Sequence, residues 1–271
     1  MTGSDYSKND IIQALLEVGI TKGDSIFIHS NIGFFGRLEG AKNQDDYYRV
    51  FKEAIFEVIG SGKGESGDHG NDGGTLVVPA FSYSFCKKQP YDKKTTPSVC
   101  GLFSEMVRKD PEAIRSDDAN FSIAAIGKNA EQFTKNAPEH SFGPNSFWEK
   151  FLSAGGKICN FNFDSGSTLI HYVEKKITVP YRYDKGFPGK AIVNGIEEDR
   201  TYYHYVYDLA KSNNEADFTK FDKKAKELGL AKVVKLGKGS VLCMKAEDVV
   251  TLIQSELLKN PAFLIKGDKV E

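Results

Sequence analysis

His171 and Glu174 stand three residues apart in the segment HYVE, a spacing that puts two side chains on one face of a helix. A carboxylate beside an imidazole favours the protonated ring and fixes its tautomer. That is what a general base needs to take a proton from an attacking amine or alcohol. Spacing alone nevertheless favours a plain surface ion pair. The same two residues could begin a zinc site, but no further cluster of ligating side chains completes one, so no metal is expected. His29 ends the apolar run SIFIH and reads either as the edge of a site or as a core histidine, with spacing favouring the core. Four segments, HSNIGFFG (29–36), PAFSYS (79–84), TTPSVCG (95–101) and RSDDANFS (115–122), gather Ser, Thr and Gly where strands give way to loops. Hydroxyls and free N–H groups at such places suit a phosphate or pyrophosphate. In a doubly wound order the four would converge on one crevice at the strand ends.

The elements that must position these residues follow from periodicity. Apolar positions at helical spacing predict helices near 8–18, 45–59, 102–107, 129–133, 146–152, 168–177, 218–228 and 246–258, with Pro180 stopping the one that carries His171 and Glu174. Short β-rich runs at 25–29, 75–79, 122–127 and 157–161 read as buried strands. Residues 181–207 alternate as antiparallel strands do, and KVVKLGKGSVLCM (232–244) reads as a hairpin. The fragment GSGKG (60–64) is not a phosphate loop: it lacks the first glycine, Gly64 stands where Ser or Thr should follow Lys63, and a helix feeds it. With seven glycines in residues 60–74, this stretch reads as a flexible insertion.

Composition narrows the class. The 271 residues carry 36 basic and 37 acidic side chains, which argues against a general nucleic-acid binder. No apolar run approaches membrane length, and the polar start MTGSDYSKND lacks a signal-peptide core. Four scattered cysteines predict reduced thiols and a cytoplasmic protein. The expectation is an α/β core over about 1–180 with a β-rich and helical addition over 181–271.

Taken in order, these segments resemble the aminoglycoside 3-N-acetyltransferase (antibiotic N-acetyltransferase) family. The resemblance runs from GDSIFIHSNIGFFG to NPAFLI through GGTLVVPAFSYS (73–84), TPSVCGLFSEMVR (96–108), RS…FSIAAIG (115–127), SFGPNSFWEKFLSAGGKI (141–158), STLIHYVE (167–174) and YR (181–182). It implies a single domain with a three-layer α/β/α core and a smaller antiparallel β addition in the C-terminal third. It further implies acetyl-CoA-dependent transfer of an acetyl group to the primary amine of a sugar, without a covalent acyl-enzyme. His171 becomes the general base and Glu174 its carboxylate partner. Ser30, Asn31, Gly33, Phe34, Gly36, Ser98, Arg115 and Ser116 are expected at the CoA site, with oxyanion donors in the 30–36 loop. His29, Phe81, Tyr83, Asp118 and Asp164 are expected near the acceptor. The family usually reads RSxHPxxS, whereas Asp118-Ala119 replaces the His-Pro pair here, so acceptor choice is expected to differ.

Residues 211–240 hold eight lysines against four acids. A solvated face accounts for such a run, but a basic surface would also suit the diphosphate of a nucleotide-linked amino sugar, which this reading places slightly ahead of an aminoglycoside. The aromatic run Tyr202–Tyr207 could stack a base or sugar, though a packed strand is the commoner reading. A homodimer is an allowed assembly. The competing readings are an aminoglycoside-modifying enzyme and a non-catalytic CoA- or carbohydrate-binding protein.

Overall fold

The computed structural model describes residues 3–61, 73–193, 195–211, 214–267 and 270. Residues 62–72, the bulk of the glycine-rich stretch, lie outside the described residues.

Period-two alternation with both sides apolar organises the core. At β1 (Ser25–Phe27), Ile26 packs on one side of the sheet and Phe27 on the other. Along β2 (Thr75–Pro79), Leu76 and Val78 oppose Val77, and along β10 (Gly239–Lys245), Val241 and Cys243 oppose Leu242 and Met244. A strand that is apolar on both faces must be covered on both. One face receives α1 (Lys8–Glu17), α2 (Gln44–Ile59) and α3 (Leu102–Lys109). The other receives α4 (Ala130–Thr134), α5 (Phe147–Ser153), α6 (Leu169–Ile177), α7 (Thr219–Glu227) and α8 (Ala246–Lys259). The result is the expected three-layer α/β/α arrangement. Ser7 and Asp10 start α1 with a reciprocal capping box, and the Asn43 side chain caps α2, each stabilising its helix by about 1 kcal/mol.

The large sheet runs β4 (Ile114–Arg115), β5 (Ile123–Gly127), β2, β1, β6 (Lys157–Phe161), β10, β9 (Lys232–Leu236). Only β1 is parallel to its neighbours, β2 and β6; the other pairs are antiparallel. The smaller sheet is the antiparallel hairpin of β7 (Arg182–Val193) and β8 (Ile196–Tyr207), completed by β3 (Tyr91–Asp92) lying parallel to β7.

Three features differ from the sequence expectation. The 232–244 hairpin joins the large sheet antiparallel to β6, so residues of the C-terminal third complete the main layers. Periodicity tells that a hairpin exists but not which edge it joins. Residues 32–35, read as loop, form one 3-10 turn. Helix α6 stops at Ile177, before Pro180, because Thr178 adopts a left-handed conformation (φ 59°) and returns its N–H to the carbonyls of Glu174 and Lys175. That turn carries the chain directly into β7 and lays Arg182 beside α6.

Candidate active site

The carboxyl ends of β1, β2 and β6 open onto a cleft of about 890 Å³. Its walls come from the His29–Gly33 loop, Phe81 and Tyr83 after β2, Val99–Phe103 leading into α3, Asn43, Gln44 and Tyr47 at the head of α2, and Phe163 and Thr168 after β6. Strand ends are where open α/β sheets bind ligands. Gly101, at φ 90°, turns the chain into α3. Helix α3 has no side-chain cap, and Leu102 and Phe103 of its first turn line the cleft, so its leading N–H groups are available to an anion. The hydroxyl of Ser30, whose backbone lies close to Gly101, is buried and has no partner among the described residues.

His29 Nε2 lies 3.4 Å from both the hydroxyl and the backbone nitrogen of Thr168. One turn further along α6, His171 Nδ1 lies 3.0 Å from Glu174 Oε2. His171 is not itself in the cleft wall; it sits behind Thr168, ringed by Phe142, Tyr207 and Phe218. The pair is not the surface ion pair that spacing favours: the His171 side chain is 21% exposed and that of Glu174 is 0% exposed. The Glu174 carboxylate accepts the Tyr181 hydroxyl at Oε1 (3.0 Å) and meets Arg182 Nη2 at Oε2 (2.8 Å). The Arg182 guanidinium lies 3.5 Å from the Tyr207 ring centroid and donates through Nη1 to the Tyr205 carbonyl (2.6 Å). Burial, reinforced by Arg182 and opposed by Glu174, holds the His171 imidazole below its usual pKa. Burial and nearby His171 push His29 down to about 4. Both rings are therefore neutral near pH 7, as a proton acceptor must be.

The remaining expected residues divide in two. Ser30, Asn31, Gly33, His29, Phe81 and Tyr83 line the cleft. Phe34 is 67% exposed beside it, and Asp164 is exposed in the loop after β6, where its carboxylate accepts the Gly166 N–H at 2.8 Å. The others serve the scaffold. Gly36 turns away against Asp5. Ser98 accepts the Cys100 N–H (3.1 Å), and its own N–H donates to Glu105 (2.8 Å). Buried Arg115 donates to the carbonyls of Thr96 (2.5 Å) and Ala80 (2.6 Å) and to the Ser122 hydroxyl (3.0 Å), leaving no open face for a phosphate. Ser116 accepts the Ile123 N–H (3.0 Å). Asp118, in the place of the family's histidine, is 5% exposed; it accepts the N–H groups of Asn120 (2.8 Å) and Phe121 (2.9 Å) and the Ser141 hydroxyl. The RSDDANFS loop thus braces the cleft from behind, because β4 and β5 bury its polar side chains other than Asp117. Among the described residues no cluster of ligating side chains could hold a metal, and no helix is long and apolar enough to cross a membrane.

A family profile for aminoglycoside 3-N-acetyltransferases matches residues 69–257. The chain belongs to that family. Aminoglycoside N(3)-acetyltransferase IV of Salmonella is 26% identical over 268 residues, covering 96% of this chain and 91% of the relative. The fold is shared with AAC-IIIb solved with CoASH (TM-score 0.75, 19% identity, 92% of this chain and 97% of that one). It is shared as well with aminoglycoside acetyltransferase AAC(3)-IVa in complex with a gentamicin (TM-score 0.75, 22% identity, 97% and 92%). The family is one of acyltransferases. Nothing in these similarities supports a nucleotide-linked acceptor, and much of the basic run is engaged elsewhere. Lys223 and Lys226 pair with acids of their own helix, Lys238 with Asp5, and Lys220 reaches the Ile265 carbonyl (3.2 Å), while Lys232 and Lys235 stand on the edge strand β9. Lysines on an edge strand guard against unwanted pairing.

Proposed function

We propose that the protein transfers an acetyl group from acetyl-CoA to an amine of an aminoglycoside-type amino sugar, with His171 as general base. The observation that carries this reading is the buried His171–Glu174–Arg182 cluster one helical turn along α6 from Thr168, a residue of the cleft wall. The relatives' named activities and the CoASH and gentamicin complexes of similar folds support it.

The donor set fits CoA. The uncapped start of α3 and the unpartnered Ser30 hydroxyl offer hydrogen bonds to phosphate or pantetheine oxygens, with Asn31 and Gly33 beside them and Phe34 at the mouth. Acetyl-CoA supplies the thioester carbonyl that the amine attacks. An ammonium has no lone pair, so the bound amine must lose a proton as it attacks. Neutral His171 accepts that proton at Nε2 while its Nδ1–H donates to Glu174, whose charge steadies the imidazolium. The negative charge developing on the carbonyl oxygen needs N–H donors. The 3-10 turn at Ile32–Phe35, which has no side-chain cap and whose first residues line the cleft, offers them. His29, Phe81 and Tyr83 bound the acceptor's approach, with Asp164 outside as a carboxylate for a further ammonium.

The test is thiol release from acetyl-CoA against a panel of aminoglycosides and of UDP- and dTDP-linked amino sugars. Release dependent on aminoglycosides is expected. Turnover confined to the nucleotide-linked sugars would replace the acceptor, and CoA binding without transfer to any amine would replace the catalytic reading.

A further inference from the structure

The YR pair at 181–182 is used by neither the cleft nor the proton transfer just described, yet both side chains close on Glu174. A carboxylate removed from water needs a compensating cation, and two are within reach: the imidazolium of His171 and the guanidinium of Arg182. Geometry decides between them. Arg182 is 7% exposed and held from three sides, by the Glu174 carboxylate, by the Tyr205 carbonyl and by the Tyr207 ring against its face. Its Nη2 lies 2.7 Å from His171 Nδ1. A guanidinium only donates, so the single ring proton on Nδ1 must be aimed wholly at Glu174 Oε2, at 3.0 Å, which leaves Nε2 with the lone pair. The guanidinium's positive charge at this range works against a second positive charge on the ring.

We propose that Arg182 is a positioning residue for acetyl transfer: it is the fixed counter-ion of buried Glu174, which leaves His171 uncharged and its remaining nitrogen free to accept the amine's proton. The inference rests on His171 being the base, and it adds that the base is held ready by a cation on another element. Every charged or titratable group facing His171 takes part. Glu174, on its own helix, favours the imidazolium. Arg182 from β7 opposes it, while His29 from the loop after β1 is itself held neutral, chiefly by burial. Tyr181 donates to Glu174 and so blunts its pull, and Tyr207 from β8 stacks on the guanidinium; Phe142 and Phe218 add only apolar surface. With the guanidinium gone, His171 is the one cationic partner left to Glu174 among the described residues. The ring is then protonated over a wider range, and the enzyme loses its base in the range where the wild type works.

The experiment pairs two readouts on the full chain. The first is an NMR titration of the His171 ring in 15N-histidine-labelled protein, assigned by difference with His171→Asn; the second is the pH dependence of kcat/KM for acetyl transfer. In Arg182→Gln the ring titration and the acidic limb of kcat/KM are both expected to move up by about 1–3 pH units, the effect of one nearby charge. Arg182→Lys keeps the charge and should hold both close to wild type. Because Arg182→Gln strands a buried carboxylate and could fail to fold, the charge-neutral double variant Glu174→Gln/Arg182→Met is the second arm. There the ring should titrate at or below its wild-type position, since burial alone acts on it. A ring titration in Arg182→Gln that is unmoved or lowered, or one in the double variant that rises as far as in Arg182→Gln, overturns the proposal. A ring titration that moves while the kcat/KM limb stays put leaves Arg182 as the counter-ion and refutes His171 as the base.

Discussion

Two buried histidine clusters stand about the aromatic wall of the cleft, and they are built from opposite materials. Around His171 the partners are charged, a carboxylate and a guanidinium, and the ring retains 21% exposure. Around His204 the contacting side chains are neutral, and the Asp118 carboxylate acts on the ring through its charge alone. His204 is 3% exposed; its Nε2 meets the Asn120 side-chain amide at 3.0 Å, its Nδ1 faces Cys86 Sγ at 3.9 Å, and the rings of Phe121 and Phe187 close over it. Phe121 links the regions, since it also packs on Phe142, which touches His171. Both rings are neutral at pH 7, and burial is the largest cause in each. It pushes His204 down to about 4 against the pull of Asp118, whereas on His171 an arginine and a carboxylate act in opposite senses besides. A ring balanced between opposite charges can change protonation during a reaction. A ring that touches only neutral groups serves packing.

That contrast predicts its largest effect on rate. His171→Ala should lower kcat for acetyl transfer by about 10²–10⁴-fold, the contribution of a positioned general base, with the circular dichroism spectrum and melting temperature little changed because the ring is partly exposed. His204→Gln should reverse the pattern, with kcat within a few-fold of wild type and a lowered melting temperature. Near-wild-type turnover in His171→Ala with an intact fold would erase the distinction.

Much of the first cluster was legible in the sequence and almost none of the second. The HxxE spacing put His171 and Glu174 on one helical face, and strand alternation gave both faces of the large sheet. The cluster's third member was not legible as such. Arg182 lies eight residues beyond Glu174, across a turn whose left-handed residue is Thr178, a conformation that residue type does not announce. Turn composition puts the serine-rich loops in one class, although Ser30 lines the cleft while Arg115, Ser116 and Asp118 face inward. Turn composition is the same in both cases; what separates them is which strand edge the loop lies against, a property of sheet order. His204 joins Asn120 and Cys86 from three distant segments, and no local pattern encodes that meeting.

A moderate effect is expected in acid. Since the folded-state pKa of His204 is about 4 against an ordinary value of 6.5, the unfolded chain binds the extra proton first. Its contribution to stability is complete above about pH 6.5 and is lost as pH falls toward 4, on the order of 2–3 kcal/mol. Denaturant midpoints at pH 7.5, 6 and 4.5 should therefore fall more steeply for the wild type than for His204→Gln. Equal slopes would mean that the ring is already charged in the folded protein, and the contrast between the clusters would fail.

The smallest effect separates resemblance from chemistry. Cys86, His204 and Asn120 imitate a nucleophile, base and orienting amide, but the amide is turned the wrong way for catalysis. Asn120 Oδ1 accepts the Cys86 backbone N–H at 3.1 Å, so its NH₂ group faces His204 Nε2. That nitrogen must then be the lone pair, and the ring proton sits on Nδ1, pointing at sulfur. A ring in this tautomer cannot take the thiol's proton, and burial together with Asp118 raises the Cys86 pKa above the ordinary thiol value. Iodoacetamide should alkylate Cys86 at pH 7.5 more slowly than it does free cysteine, with a rate rising about tenfold per pH unit up to pH 9. Asn120→Asp reverses the hydrogen-bond polarity: one carboxylate oxygen still accepts the Cys86 N–H, the other accepts Nε2–H, and the Nδ1 lone pair is freed toward sulfur. Alkylation at pH 7.5 should then accelerate by about tenfold. A wild-type thiol already faster than free cysteine at that pH would mean that His204 does accept its proton, and the second cluster would join the first as a reactive site.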